Sequence, residues 1–187
     1  MSGDLERRLQ NLIRVGVVYE VRGDRARVDF GHGLVSEWLP WCVRRAHGDV
    51  EWWSVEVGEQ VVVLSPGGLL EDGFIAWSLY QSDHPAPAGS ADVHITRYGN
   101  GASMTHDRAS GDLIFDLMGN FIVRTGAGVQ MQAPSGVQIQ APSVSASGGL
   151  TAQGTIESKT DVVFAGTSGK AHAHTEHDDY ITSTPNR

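Results

Sequence analysis

Between Gly128 and Ser143 the chain reads GVQMQAPS and then, with no spacer, GVQIQAPS. Val129 and Val137, Met131 and Ile139, Ala133 and Ala141, and Pro134 and Pro142 each lie eight residues apart. Every second residue within a unit is apolar, which is the period of a strand, and the eight-residue period between units is that of a stacking repeat. Such a run has one thin apolar stripe with Gln opposite, too little for a helix or for a core of its own. It needs something to bury against. Because the units repeat, the cheapest partner is the same segment in another copy of the chain, wound round a common axis. Pro134 and Pro142 lack a donor N–H and belong at corners between short strands. The competing reading is a low-complexity tail rich in Ser, Gln and Gly. Against it stands the phase: four Val, Met and Ile side chains, each worth roughly 1.5–3 kcal/mol when buried, keep their register over two repeats.

The rest of the composition divides the chain. All five Trp fall within the first 77 of 187 residues, whereas beyond Phe121 the only aromatics are Phe164 and Tyr180. A conventional core is therefore expected in the first half only. With 14 basic and 22 acidic residues the net charge is -8, which disfavours a nucleic acid partner because the phosphate backbone wants a basic surface. The single Cys42 excludes an intramolecular disulfide framework; lying in an apolar run, it reads as a buried, inert thiol. No apolar run reaches membrane-spanning length, and the opening MSGDLERRLQ is too charged for the core of a signal peptide, so no export by the usual route is expected.

Taken in order, residues 1–14 predict a short amphipathic helix, with Leu5, Leu9 and Leu12 on one side and Ser2 as a cap, packed on the next domain or on a neighbouring chain. From Val15 the period becomes two. Residues 15–81 read as five short strands: Val15 to Val21, Ala26 to Phe30, Val35 to Val43, Val61 to Leu64 and Phe74 to Tyr80, with a possible extra run at Trp52 to Val55. That number and size suit a small closed barrel of OB type. Residues 82–91 form a Pro- and Gly-bearing linker, and residues 92–170 a meander of hairpins leading into the octads. The expected fold class is all-β: an N-terminal OB-fold barrel followed by an intertwined trimeric β-helix shaft.

Residues 171–187 close the chain with AHAHTEHDD. In an extended strand His172 and His174 share a face. Two imidazoles bind a metal poorly, but a threefold axis would gather six, an octahedral set that suits iron(II), with nickel or cobalt as competitors, rather than tetrahedral zinc. The other reading is a solvated His-rich tail. His177 is as well suited to capping or to an outer-shell role as to ligation. His32, His47, His84, His94 and His106 show no metal spacing and read as surface or turn residues.

Several of these stretches together resemble the baseplate assembly protein V family, the central tail spikes of contractile-tailed phages and Mu-like prophages. They are IRVGVVYEV (Ile13 to Val21), WLPWCVRRAHGDVEWWSVEVGEQVVVLSPGGLLEDGF (Trp38 to Phe74), SDHPAPAGSADVHI (Ser82 to Ile95) and HAH (His172 to His174). The resemblance implies a homotrimer with an OB-fold collar, a β-helix shaft and an apex where His172 and His174 of three chains hold one iron ion. It implies no enzymatic activity, baseplate hub and wedge proteins as neighbours, the host outer membrane as target, and a place in the virion tail baseplate after assembly in the host cytoplasm. An OB-type glycan or nucleic-acid binding module and a cell-wall-acting enzyme are the alternatives. An enzyme would need a pocket, an open metal position and an acid or base beside it; six histidines on an axis leave no open position, and neither HExxH nor a Ser-His-Asp order occurs.

Overall fold

The structure, a computed structural model, describes residues 2–169. It divides into two compact units, residues 1–124 and 125–187. In the first, helix α1 (Ser2–Asn11) leads into strands β1 (Ile13–Arg22) and β2 (Arg25–Asp29), and then into β3 (Leu39–Pro40). A minimal hairpin, β4 (Ala46–His47) and β5 (Asp49–Val50), precedes β6 (Gln60–Leu64) and β7 (Phe74–Leu79). The main sheet runs β3-β2-β1-β6-β7, and its named pairs are antiparallel. It curls into a half-barrel whose far strands meet at a parallel bridge from Trp41 to Ile75, with the Cys42 N–H donating to the Ile75 carbonyl at 2.8 Å. This is an OB-type sheet in outline.

Inside the curl, Val18, Ala26, Val28, Leu39, Val61, Val63 and Ile75 are buried, with Val21, Phe30, Trp41 and Val55 packed around them. Alternation explains β2 and β6, where Ala26 and Val28, and Val61 and Val63, point inward. Strand β1 behaves differently. Its stripe Val15, Val17 and Tyr19 is exposed, and the buried parity belongs to Gly16 and Val18. Both parities of VGVV are apolar, so period alone does not choose a face. Gly16 chooses it, because a Cβ there would lie 2.7 Å from the Asp29 carbonyl oxygen and against the Val28 side chain. A bulge between Val18 and Glu20 then shifts the parity and returns Val21 to the core side.

Other departures are local. Trp52 to Val55 forms no strand; the Trp52 ring instead packs on Trp41 at 5.5 Å between centroids. The run from Val35 pairs regularly only at Leu39–Pro40, and Val43 is exposed. Cys42 is exposed rather than buried, because its backbone, not its side chain, serves the closing bridge.

Helix α1 docks through its polar side. Gly68 lies directly under the helix, where a Cβ would collide with the Arg8 backbone, and its φ of 70° suits glycine. The Asn11 amide donates to the Gly68 carbonyl at 3.5 Å, and the Ser65 N–H donates to the Leu12 carbonyl at 3.0 Å. Leu5, Leu9 and Leu12 consequently face outward.

Beyond the half-barrel, β8 (Val93–Arg97), β9 (Ser103–Asp107) and β10 (Leu113–Asp116) form a three-stranded antiparallel meander. The turns fall at the Gly- and Asn-bearing positions the sequence marks. Asn100 Oδ1 accepts from the Ala102 N–H at 3.0 Å, and Arg108 grips Asp92 through two nitrogens at 2.6 and 2.9 Å. In the second unit the described strands are β11 (Val163–Phe164) and β12 (Thr167–Ser168), a hairpin with a two-residue loop. Among the described residues, 117–162 contain no strand.

Candidate functional site

His172 and His174, the ligands expected from the sequence, lie outside the described residues, as does His177. Among the described residues, no group of three or more His, Cys, Asp or Glu side chains is placed to hold a metal ion. One pairing was invisible to spacing: His94 and His106 stand directly opposite on β8 and β9, both exposed. They lie twelve residues apart in sequence, so only the hairpin register reveals it.

The most extensive surface feature is apolar. From Arg108 to Thr160 every residue is exposed. The stripe of the octads is uncovered throughout: Val129, Met131, Val137 and Ile139 are exposed, Met131 at 76% and Ile139 at 67%. Leu113, Phe115, Phe121, Val144, Leu150 and Ile156 continue the series. Such a run of uncovered apolar side chains marks an interaction surface. The backbone tells the same story. Among described residues 117–160 the sole backbone-to-backbone hydrogen bond is from the Gly136 N–H to the Ala133 carbonyl, at 2.9 Å. It closes a turn with Pro134 and Ser135 at its centre, and Pro142 sits at a bend. Both prolines thus occupy corners, as their missing N–H requires.

A second surface lies on the outer side of the half-barrel. Register places Ile13 beside Leu64 and Leu64 beside Phe74; the next row is Val15, Val62 and Trp77; the next is Val17, Gln60 and Leu79. Trp77 is 64% exposed, and Leu5, Leu9 and Leu12 of α1 precede this face in the chain. Sequence reasoning missed it by treating the β1 stripe without asking which parity meets the core. The signal was present, since Gly16 sits in the opposite parity.

A third feature is aromatic. Trp53 stacks on Tyr98, with ring centroids 6.1 Å apart and planes 19° from parallel, in a groove lined also by Trp41, Trp77, Tyr80 and Pro85. Polar groups at its floor are held: Gln81 donates to the Gly58 carbonyl at 2.9 Å, and the Ser78 hydroxyl donates to Glu59.

Charge on the first unit is arranged in small pairs. Asp4 accepts from Arg7 at 2.6 Å and from Arg8 at 3.1 Å on the exposed face of α1. The Arg7 hydrogen bond, with the nearby positive charge of both arginines, holds the Asp4 carboxyl below its ordinary value of 3.8. Arg22 lies over the Trp38 ring at 4.3 Å and Arg14 over Phe30 at 5.0 Å, which ties two cations of β1 to neighbouring aromatics.

Two comparisons with known proteins bear on this arrangement. Residues 14–80, which hold the five-stranded sheet except for Ile13 at its start, match the family described as the type VI secretion system/phage-baseplate injector OB domain. The chain is also 38% identical over 106 residues to the spike protein of Escherichia phage P2, a match covering 56% of this chain. It spans about half the length of that relative, 50% of which is aligned. Residues 14–80 of this chain thus resemble the phage-baseplate injector OB domain, and its 106-residue match is to a phage spike protein.

Proposed function

We propose that the protein is the trimeric central spike of a contractile-tail baseplate, driven through the host outer membrane when the tail contracts. Residues 15–81 are the OB collar, residues 92–170 the intertwined β-helix shaft, and residues 171–187 the apex. Its neighbours are the baseplate hub and wedge proteins, and its place is the virion tail. The observation that supports this reading best is the unbroken exposed series from Arg108 to Thr160, within which residues 117–160 make a single backbone-to-backbone bond. A chain that folds this way alone leaves its apolar stripe uncovered and most of the amides of residues 117–160 without partners. Threefold winding supplies both at once, since strand pairing passes between chains and the stripes of three chains meet on the axis.

At the apex the donor set fits iron. Three copies of His172 and His174 bring six neutral nitrogen donors, and this number and type suit an octahedral first-row metal. Bound there, the ion supplies a cross-link among three chain ends, where fraying of the shaft would begin. The tip's role is mechanical, with no chemical step assigned to it. Glu176, Asp178 and Asp179 follow the pair in the sequence and bring negative charge to it.

Native mass spectrometry with metal analysis of the purified full chain tests the proposal. The expected result is a trimer carrying one iron per three chains; a monomer at micromolar concentration sinks it. Replacing both ligands, His172→Ala with His174→Ala, is expected to abolish bound iron while the trimer persists, and unchanged metal content would show that other residues hold the ion. A second reading, an OB-type glycan binder, is favoured by the Trp53–Tyr98 stack, because sugar rings pack on exposed aromatic faces. Titration with soluble oligosaccharides separates the two: saturable binding lost on Trp53→Ala supports the glycan reading.

A further inference from the structure

From Thr125 to Ile156 the chain contains no Asp, Glu, Lys, Arg or His over 32 residues. At the chain's overall charged fraction of 19%, a stretch of that length would carry about six charges. The gap has sharp edges, with Arg124 before it and Glu157, Lys159 and Asp161 after it. It begins at the first residue of the second unit and contains both octads. Every residue in it is exposed in the single chain, and burial on the axis of the proposed shaft would account for the missing charge only along the apolar stripe, not at the Gln positions opposite it. A surface meant only to stay soluble accepts Lys and Glu freely. Here the polar positions are filled instead by Gln130, Gln132, Gln138 and Gln140, and elsewhere by Ser, Thr and Gly.

We infer that residues 125–156 form the part of the shaft that occupies the hydrocarbon layer of a lipid bilayer once the apex has gone through, and that their wall is kept free of charge for that position. This rests on the piercing reading above. The physical reason is the asymmetry between neutral and ionised groups. A neutral amide or hydroxyl entering hydrocarbon loses hydrogen bonds to water, whereas an ionised side chain also loses its ionic solvation, a much larger penalty. In a threefold shaft each charged position counts three times. Length is sufficient as well: 32 residues have an extended reach of about 110 Å, against a hydrocarbon layer of about 30 Å. A chain winding round its axis can therefore lose two thirds of its reach and still cross. The small residues that fill the stretch keep the shaft slim, and the absence of aromatic residues between Phe121 and Phe164 leaves nothing to anchor it at the headgroups.

The test is force spectroscopy of the full-length trimer, held by an N-terminal tag on a microscope tip and pressed through a supported phosphatidylcholine bilayer. Gln130→Glu with Gln138→Glu adds six carboxylates per trimer, and Gln130→Asn with Gln138→Asn is the neutral control. The expected breakthrough force is at least twofold higher for the Glu pair than for the native chain, with the Asn pair unchanged. If sedimentation shows that the Glu pair does not trimerise, Gln153→Glu places the charge at another level with the same expectation. Equal forces for a trimeric Glu variant and the native chain overturn the inference while leaving piercing intact. A native chain that needs as much force as a bare tip overturns the piercing reading itself.

Discussion

Two regions of this molecule use the same strand alphabet with opposite results. In residues 13–79, apolar residues at alternate positions meet one another across β2, β1, β6 and β7, and seven side chains close a small core. In residues 117–160 the alternation is at least as regular, yet no side chain is buried and a single backbone bond is made. The difference lies in where the partner strand comes from. Non-repeating strands joined by loops of varied length can find each other within one chain. Near-identical octads joined by proline corners have no such varied neighbour in their own chain, and in the assembly proposed above copies of the same segment take that place. Regular alternation says that a segment wants a partner, and on that proposal repetition says that the partner is another chain.

The sharpest way to break this contrast is a charge in each region's apolar set. Met131→Asp with Ile139→Asp places six carboxylates on the axis of the proposed trimer; the expected result in analytical ultracentrifugation is loss of the trimer, with the barrel's tryptophan fluorescence unchanged. Persistence of the trimer would mean that the octad stripe is not its seam. The barrel's counterpart is Leu39→Ala, which opens a cavity at a site with 0% exposure. It is expected to cost about 2–5 kcal/mol in denaturant unfolding and to leave the oligomeric state alone. Smaller again is Gly16→Ala, which forces a methyl against Val28 and Asp29 and is expected to destabilise the sheet by about 1–3 kcal/mol. If that variant matched the native chain, Gly16 would not be what turns the β1 stripe outward.

The smallest effect concerns α1 and its acid dependence. Because the folded Asp4 carboxyl titrates below 3.8, its contribution is present above that value and is lost as pH falls through the lower folded value. Asp4→Asn is expected to remove that acid limb from the helix signal in circular dichroism and to change little at neutral pH, since the pair is exposed. An acid limb that survives the substitution would assign it to another carboxylate.

Much of this architecture was legible in the residues. The strands at Ala26 to Phe30, Val61 to Leu64 and Phe74 to Tyr80, and the hairpin turns near Gly101 and Gly111, were written in period and punctuation. What escaped was facing and pairing. VGVV offers apolar side chains on both parities, so only the close approach of β1 to β2 at Gly16 decides which stripe goes inward. The outward rows led by Ile13 and Val15, and the His94–His106 pair, depend on register between strands distant in sequence, which no local pattern encodes. The HAH pair, proposed above as ligands, is legible in the sequence by its spacing and falls beyond Gly169, the last described residue.

The lone turn bond from Gly136 to Ala133 turns the second region into a reporter of its own assembly. In an unassembled chain, the amides of residues 117–160 other than Gly136, and Ala127 and Thr160 with their side-chain hydroxyl partners, exchange their hydrogens with solvent at nearly the rate of free peptide, while Pro134 and Pro142 contribute no signal. As copies come together, each amide that finds a strand partner falls silent in turn. Gly136 starts out protected, so it marks the zero of the scale, and deuterium uptake along the octads would record the order in which the proposed shaft closes.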